Sequence, residues 1–373
     1  MSVIAQESSA SAGGDERETE KLDVSHPEHA PLMPPATVKP HRVVVLGSPA
    51  NEATVRLVAE WRALGINALL TSAAELPAVL EPGDTVVGRL DVLPGLNGVE
   101  PGLLALLLAE RRGLGVINPA SAMLDVHDKL RTDRRLAAAC VPHPRTVEVD
   151  RHSAAVSLAP PLVLKPRFGS WGRDVFLCAD QRDVKRCIRA VRDRPWFRRH
   201  GAIAQELIPP VGHDLRVVIA RGRVVGSAER TAAPGEWRTN VSLGGSSVPT
   251  AVTREAAELA QTAAAAVGMD LVGVDLLPLA DGTHVVLELN GAVEFDAGYS
   301  LAGHDLYRDA AEALRFDEGD EVEDTYRSSA AKAREVGEEE VAAQLGEPRD
   351  DERAHVETLE TAPEPLEVPS RYQ

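Results

Sequence analysis

The sequence predicts a small α/β domain, followed by a region of paired strands and helices, with a disordered tail at each end. Up to about residue 120, apolar strands alternate with helices, which is typical of a parallel sheet. Beyond it, strands recur in pairs joined by glycine-containing turns. The ends, 1–40 and 317–373, lack hydrophobic periodicity and are rich in acidic residues, which is typical of disorder.

The first domain begins with a buried-type strand at Arg42–Gly47. In the helix that follows, apolar residues recur every three positions, and Gly65 marks its end. The predicted elements are, in order, strand 42–47, helix 51–64, strand 66–70, strand 84–89, helix 103–112 and strand 116–118.

The second region carries most of the polar motifs. Its helices are predicted from apolar faces with a period near 3.6, and its strands from short apolar runs bounded by turns. The predicted elements are helix 121–139, strand 145–149, strands 162–165 and 175–177, the arginine-rich helix 181–193, strand 202–206, the hairpin 215–220 and 223–229, helix 251–267, strands 271–277 and 284–289, and helix 308–314.

The formal charge of −17 belongs to the ends of the chain. Residues 317–373 hold 18 acidic and 6 basic side chains, and residues 1–40 hold 7 acidic and 3 basic ones, so the part between them is nearly neutral. Nucleic-acid binding requires a basic surface, and this charge balance argues against it.

Three cysteines, at 140, 178 and 187, show no CxxC spacing and no even pairing. They are expected to be free thiols, as in a protein of a reducing compartment, and to be packing residues. The first residues lack a basic n-region and a long apolar stretch, so no secretion signal is predicted. The apolar runs are too short to span a bilayer. We therefore expect a cytoplasmic protein without membrane association.

Asp275, Glu288 and Asn290 form a candidate metal site. Glu288 and Asn290 are two positions apart on one strand and point to the same face. Asp275 lies in an otherwise apolar neighbouring strand, where an acid is costly unless it is paired or metal-bound. Three oxygen ligands on adjacent strands suit Mg²⁺, which also takes nucleotide phosphates. The alternative is a set of acids at a sheet edge that faces water.

A glycine-rich loop between the strands 162–165 and 175–177 is a candidate lid over nucleotide phosphates. Backbone N–H groups in such a loop can bind an anion, and Lys165 just before it adds a positive charge. Lys129 is a second candidate for phosphate binding. The alternatives are a simple turn and solvated lysines. The loop consists of Gly169, Ser170, Trp171, Gly172 and Arg173.

Arg216 and Arg230 lie on the two arms of the predicted hairpin, each within an apolar segment. The planar guanidinium could bind a phosphoryl group or an acyl phosphate in this position. Salt bridges to the abundant acids are the alternative. Asn240 lies in a loop that could cross the same site.

The ordered set of motifs resembles the ATP-grasp ligases of the RimK-like branch. These motifs are DK at 128–129, KPRFGSWGR at 165–173, QELI at 205–208, GHDLRV at 212–217, Arg230, EWRTN at 236–240 with GG at 244–245, GVDLL at 273–277 and LELN at 287–290. Within that branch, the chain is most similar to LysX-type ligases, which join amino acids to an amino-group carrier protein. The GSWGR loop, WRTN, the pair Glu294-Phe295 and the run from Val86 to Val99 support this closer similarity.

The resemblance implies an ATP-grasp fold, with a pre-ATP-grasp α/β domain at 41–120 and two α+β subdomains. These would be a small lid subdomain at 121–207 and a large subdomain with the metal site at 208–316. It also implies a reaction in which ATP activates a carboxylate as an acyl phosphate, an amine attacks it, and an amide, ADP and phosphate are formed. The cofactors would be ATP and Mg²⁺, as one or two ions, with Mn²⁺ as a substitute.

The resemblance also assigns roles to residues. Lys129, Lys165 and the 169–173 loop would hold the phosphates, and Asp275, Glu288 and Asn290 would hold the metal. The adenine would meet backbone groups of the segment Gln205, Glu206, Leu207 and Ile208, and Asp214 is a candidate ribose contact. Arg216, Arg230 and Asn240 would stabilise the acyl phosphate, without a covalent nucleophile. Arg89 and Glu294 are candidate substrate contacts, although Glu294 could equally be an N-cap or a surface acid.

The expected partners are ATP, an amino acid, and an acidic peptide or small carrier protein. The arginines of 186–199 could attract such a partner, or they could form a solvated helix face. Two other functions stay open at this point: a RimK-type glutamate ligase that acts on a C-terminus, and a non-catalytic ATP-binding regulator. Homo-oligomerisation also stays open.

Overall fold

The computed structural model describes residues 42–295 and 297–314. The predicted tails at 1–40 and 317–373 lie outside these residues. Three β-sheets follow one another along the described chain. No helix in this part of the chain is both long and apolar enough to cross a membrane.

The first sheet is parallel, as the alternation of strands and helices predicts. Its order is β2-β1-β3-β4. Asn51 begins the first helix, because its side chain accepts a hydrogen bond from the N–H of Thr54. The elements are β1 (Arg42–Gly47), α1 (Glu52–Ala63), β2 (Asn67–Thr71), α2 (Leu76–Val79), β3 (Thr85–Arg89), α3 (Leu103–Arg111) and β4 (Gly115–Ile117).

The single helix predicted over 121–139 is wrong, because the structure has two: α4 (Ala120–His127) and α5 (Lys129–Ala138). Between them Asp128 adopts an extended conformation, and its side chain accepts a hydrogen bond from the N–H of Leu130. The Asp128 carboxylate also pairs with Arg167. Asp128 therefore interrupts the predicted helix and caps the start of α5, whose first residue is Lys129.

The second sheet is antiparallel, in the order β5-β8-β6-β7. One face of α6 is buried through Val184, Cys187 and Val191, while its arginines are exposed. The helix α7 was not predicted. The elements are β5 (Thr146–Val149), β6 (Leu162–Pro166), β7 (Phe176–Cys178), α6 (Gln181–Val191), α7 (Pro195–His200) and β8 (Ala202–Glu206).

The third sheet is also antiparallel, in the order β11-β10-β9-β12-β13. Alternate residues of β9 and β12 pack into two separate cores, one that includes α8 and one that includes α9. The edge strand β11 was not predicted. The elements are β9 (His213–Ala220), β10 (Arg223–Thr231), β11 (Ser246–Pro249), α8 (Arg254–Ala266), β12 (Leu271–Pro278), β13 (His284–Asn290) and α9 (Leu306–Ala313).

The last helix links the third sheet to the first domain. The fully buried Trp61 of α1 donates a hydrogen bond from Nε1 to the carbonyl of Ala311 in α9, at 3.1 Å. The three cysteines are free thiols, of which Cys178 and Cys187 are buried. Cys140 is exposed, so the expectation that all three pack in the core is wrong for this residue.

We expect Trp61→Ala to lower the free energy of unfolding by about 3–5 kcal/mol, because it leaves a cavity between α1 and α9. Val55→Ala on the same helix is the matched control, since Val55 is 43% exposed and its loss should change stability by less than about 0.5 kcal/mol. Urea unfolding of both variants measures the difference. Equal stabilities would contradict this packing.

Candidate active site

A buried charge network lies across the middle of the third sheet. Asp275 on β12 is paired in register with Glu288 on β13 and with Arg216 on β9. Arg216 donates from Nε and Nη2 to the two Asp275 oxygens, at 2.7 and 2.8 Å. Burial alone would raise the pKa of Asp275, but the charges of Arg216 and Arg230 hold it well below its ordinary value.

Arg230 on β10 extends this network to Asp214. It donates from Nε and Nη2 to the Asp214 oxygens, at 2.8 and 2.6 Å, and its Nη2 lies 2.9 Å from Asp275 Oδ2. The hydroxyl of Thr239 donates to Asp214 Oδ2 at 2.6 Å. Although burial lowers the pKa of Arg230, Asp275 and Asp214 raise it well above its ordinary value. Both Asp214 oxygens are therefore engaged within the protein, and its ribose contact stays a prediction.

Two lysines face Glu288 from the other side. Lys129 Nζ donates to the carbonyl of Gly169 at 2.9 Å and lies 3.2 Å from Glu288 Oε2. Lys165 on β6 is 5% exposed, and burial lowers its pKa to about 8, although Glu288 opposes this shift. For Glu288, burial would raise the pKa, but the two lysine charges lower it. The second and third sheets thus meet at a cluster of charges.

The loop Gly169–Arg173, which the sequence predicts to be a lid and which is here called the lid loop, lies next to this cluster. The carbonyl of Trp171 accepts a hydrogen bond from Ser242 Oγ at 3.2 Å, and that of Gly172 accepts from Arg238 Nη1 at 2.7 Å. Arg173 donates from Nη1 to the carbonyl of Pro94 at 3.1 Å. Two of these bonds join the loop to 238–242 and one joins it to the first domain.

Gly172 is required where it stands. Its φ is +66°, and an added Cβ would lie 2.7 Å from Asn240 Oδ1 and 2.9 Å from Leu243 Cδ1. A side chain here would therefore strain the backbone and push Asn240 away. The glycine permits the close contact between the lid loop and the Asn240 segment.

Two adjoining cavities surround the charge network. The inner cavity, of about 110 Å³, lies between β6, β8, the lid loop and the third sheet, and it is lined by Lys165, Gln205 and Asp214 among others. The outer cavity, of about 490 Å³, continues towards the first domain and is lined by Asp91, Arg216 and Asn290 among others. Five residues line both: Ser170, Trp171, Arg230, Asn240 and Glu288.

The structure brings nearly all the predicted site residues to these cavities. The candidate phosphate, adenine and ribose contacts line the inner cavity, except for Arg173. Asp275 lines the inner cavity, Glu288 lines both, and Asn290 and Glu294 line the outer one. Arg216, Arg230 and Asn240 also line the outer cavity. Arg173 stacks on Trp171 instead, with its guanidinium carbon 4.5 Å from the ring centroid.

Arg89 lies behind the wall of the outer cavity rather than on it. It is 2% exposed, donates to the carbonyl of Val293 at 2.8 Å and to Thr54 Oγ1 at 3.2 Å, and burial lowers its pKa to about 10. Its bond to Val293 holds the segment that follows β13. A direct substrate contact by Arg89 stays a prediction.

Some residues of the site were not singled out from the sequence. Arg238 holds the lid loop, and its signal was present in the EWRTN motif. Asp91, in the segment after β3, and His127, the last residue of α4, line the outer cavity, and no local pattern in the sequence marks either one as a site residue. Only the tertiary structure brings them together, since His127 donates to the carbonyl of Leu90, the residue before Asp91.

The candidate metal ligands have the chemistry of an oxygen-binding site. Both Asp275 oxygens already accept hydrogen bonds from Arg216, and one lies 2.9 Å from Arg230 Nη2, so metal binding by Asp275 stays a prediction. The described residues contain no group of three or more His, Cys, Asp or Glu side chains that could hold a metal, so Asp275 and Glu288 would need other oxygens. Asn290 is close, with Nδ2 3.5 Å from Asp275 Oδ2. Two carboxylates and an amide, completed by phosphate oxygens, match the way in which proteins bind Mg²⁺ beside nucleotides.

Comparison with known proteins identifies the family of this chain. The sequence model of one protein family, the RimK-like ATP-grasp domain, matches residues 127–313, half of the chain. The protein belongs to the RimK-like ATP-grasp family. A probable alpha-L-glutamate ligase of Stenotrophomonas maltophilia (strain R551-3) is 31% identical to it over 60% of this chain and 75% of the relative.

Beta-citrylglutamate synthase B of Danio rerio is 32% identical, over 53% of this chain and 49% of the synthase. The chain thus spans about half the length of the first curated relatives that it matches. Among solved structures, a RimK domain protein of Sphaerobacter thermophilus has a TM-score of 0.53 at 24% identity, over 73% of this chain and 99% of that one. The predicted ATP-grasp fold is confirmed.

His127 gives the site a pH-dependent stability. Its Nε2 donates to the carbonyl of Leu90 at 2.8 Å, and burial lowers its pKa to about 4. The unfolded chain therefore binds a proton below pH 6.5 that the folded protein does not, and stability falls as the pH falls from 6.5 towards 4.

We expect the proton uptake of His127 on unfolding to lower the free energy of unfolding by about 2 kcal/mol when the pH falls from 7 to 5. His127→Gln keeps a donor for Leu90 but does not titrate, so the stability of wild type relative to this variant should decrease by that amount. Urea unfolding of both proteins at the two pH values measures it. A constant difference would show that His127 titrates normally.

Proposed function

We propose that the protein is an ATP-dependent ligase that joins a carboxylate to the amine of an amino acid and releases ADP and phosphate. The observation that carries this proposal is the shared boundary of the two cavities. Candidate phosphate, metal and acyl-phosphate residues lie on one continuous surface, with Glu288, Arg230 and Asn240 where the cavities meet. A γ-phosphate at this boundary would face a carboxylate in the outer cavity.

In this proposal the inner cavity holds ATP. Lys129 and Lys165 bind its phosphates, and backbone groups of the segment 205–208 bind the adenine. Mg²⁺ held by Asp275, Glu288 and Asn290 would neutralise the charge of the phosphates. Placement and charge stabilisation then supply the catalysis, as is usual in phosphoryl transfer.

The size of the inner cavity supports a mobile lid loop. About 110 Å³ is well below the roughly 300–1,000 Å³ of ligand pockets. ATP would therefore require the lid loop to open and to close again. Four hydrogen bonds attach the loop to other segments: Lys129, Ser242 and Arg238 donate to its carbonyls, and its Arg173 donates to Pro94. These bonds can break without disturbing a sheet.

The arginines would act on the reacting carboxylate. Arg216 and Arg230 are held in place by Asp275 and Asp214, so they are already oriented before a substrate arrives. Each guanidinium would stabilise the negative charge that develops on the acyl phosphate and on the tetrahedral intermediate. Asn240 lies beside them and would donate a further hydrogen bond.

The division of the chain follows the same proposal. We assign 41–120 to the pre-ATP-grasp domain, 121–207 to the small lid subdomain and 208–316 to the large subdomain. The three sheets lie within these limits, at 42–117, 146–206 and 213–290, which supports the division. ATP would bind between the second and the third sheets.

The amine substrate is proposed to be an amino acid. A second candidate function is a RimK-type reaction in which the amino acid is glutamate. The names of two matched relatives, a glutamate ligase and a citrylglutamate synthase, favour it. The LysX-type alternative, in which the carboxylate belongs to a carrier protein, rests on the GSWGR and Glu294-Phe295 motifs. Mass spectrometry of the product separates one addition on a side chain from repeated additions at a terminus.

We expect ADP release that depends on both a carboxylate and an amino acid, and we expect Glu288→Gln to lower kcat by about 10²–10³-fold. Glu258→Gln on the exposed face of α8 is the matched control and should leave kcat unchanged. A coupled ADP assay over panels of carboxylates and amino acids measures this. If wild-type protein binds ATP but no amine stimulates turnover, a non-catalytic ATP-binding regulator becomes the better assignment.

The glycine at position 172 gives a test of the lid loop. Gly172→Ala should raise the KM for ATP by about tenfold to a hundredfold, because the new Cβ displaces Asn240 and misplaces the loop. Gly235→Ala is the matched control, since Gly235 also has a positive φ but has no atom within 4 Å of the added carbon. Both variants carry similar backbone strain. A similar KM in the two variants would indicate that the 169–173 loop is only a structural turn.

A further inference from the structure

A third cavity lies in the first domain, outside the site described above. Its volume is about 440 Å³, within the usual range for small-molecule sites. It is lined by residues at the ends of β1 and β2, by the segment after β3 and by the first two turns of α3. None of its lining residues lines the inner or the outer cavity. We call it the α3 cavity.

The topology of the first sheet places this cavity where α/β proteins bind ligands. With the order β2-β1-β3-β4, the chain moves to one side of β1 for β2 and to the other side for β3 and β4. The strand order therefore reverses between β1 and β3. Ligands of open parallel sheets bind at such a reversal, beyond the carboxyl ends of the strands. Gly47, at the end of β1, and Leu90, just after β3, line the α3 cavity.

The wall of the α3 cavity is mainly hydrocarbon. The aliphatic side chains on it come from three separate segments, and several of them are only partly buried, so apolar surface is left facing the cavity. Burial of this surface by an apolar ligand is favourable. The leucines on the wall are Leu46, Leu90, Leu93, Leu104 and Leu108.

One carboxylate breaks this apolar wall. Among the described residues that line the α3 cavity, Glu100 is the only ionisable one, and the other polar side chains are those of Ser48 and Ser72. Burial raises the pKa of Glu100, and the neighbouring charge of Asp91 raises it too, although the N–H of Asp91 donates to Glu100 Oε2 at 3.0 Å and opposes the shift. Burial and the charge of Asp91 both disfavour the ionised form of Glu100. A bound cation would offset these two effects, whereas an anion would add to them.

We propose that the α3 cavity is a binding site for a small primary amine with an aliphatic body. Its ammonium group lies against Glu100, and its hydrocarbon chain packs on Leu90, Leu93 and Leu104. The lining offers no cationic side chain to nucleotides, phosphates or carboxylates, so such anions would meet Glu100 with only the backbone N–H groups at the start of α3 to offset its charge. This site goes beyond the proposed ligase reaction, since it requires neither ATP nor the charge network.

Two consecutive residues, Leu90 and Asp91, connect the α3 cavity to the outer cavity. Leu90 lines the α3 cavity, and its carbonyl accepts a hydrogen bond from His127, which lines the outer cavity. Asp91 lines the outer cavity, and its N–H donates to Glu100 of the α3 cavity. A ligand that orders Glu100 and Leu90 therefore also orders the wall of the outer cavity. This arrangement suits a ligand that modulates the reaction site without occupying it.

Calorimetric titration of the full chain with n-hexylamine, hexanoate and 1-hexanol tests this proposal. We expect hexylamine to bind at least about tenfold more tightly than the other two, because only its head group matches Glu100. Glu100→Gln keeps an acceptor for the N–H of Asp91 and should reduce hexylamine to the affinity of hexanol. Hexanoate binding as tightly as hexylamine would overturn the proposal.

A cavity-filling variant locates the site. Leu104→Trp should abolish hexylamine binding, because the larger ring occupies the α3 cavity, while Val55→Trp on the exposed face of α1 should leave it intact. Circular dichroism and the unfolding midpoint establish that both variants fold. Binding that survives Leu104→Trp in a folded protein would place the amine elsewhere and refute the assignment. Since no ATP is needed, this result is separate from any failure of the ligase assay.

Discussion

The buried pairing of Asp275 with Arg216 and Arg230 is the interaction on which the site depends. A carboxylate that is 1% exposed would be very costly without compensating charges, and two guanidinium groups supply them. Asp214 in turn neutralises Arg230. Loss of one member would leave a buried charge without its partner, which is strongly destabilising. The network therefore fixes the register of β9, β10 and β12 as well as the positions of the arginines.

The arginines and the lysines of the site are held by different parts of the structure. The arginines are held by acids within the third sheet, while the lysines reach the same place from α5 and β6. Glu288 lies between the two groups, 3.2 Å from Lys129 and opposite Asp275 on the neighbouring strand. The charges on the third sheet are fixed by backbone ladders, whereas the lid loop is held by a few hydrogen bonds. Rigid charge placement beside a weakly attached loop suits a site that must admit a nucleotide and then exclude water.

The sequence predicted the strands well where local signals were strong. The hairpin around Arg221-Gly222 and the pair that carries Asp275 and Glu288 are present as predicted. The helix over 121–139 was predicted wrongly, because Asp128 fits a helix pattern but gains more by capping α5 and pairing with Arg167. The strand β11 was missed, because SSVP has little apolar character and is defined by its hydrogen bonds to β10.

The residue types at the candidate site were evident in the sequence, because carboxylates, lysines and arginines in an ordered set of motifs predicted metal, phosphate and acyl-phosphate binding. Only the tertiary structure decided how those groups are paired. It engaged both oxygens of Asp214 with Arg230 and Thr239, placed Arg89 behind a cavity wall, and created the α3 cavity from segments far apart in the chain. The physical reason is that a side chain's chemistry is local, whereas its burial and its partners depend on strand order and packing. The lid loop illustrates both, because its glycines were evident in the sequence and the contact that requires Gly172 came from Asn240.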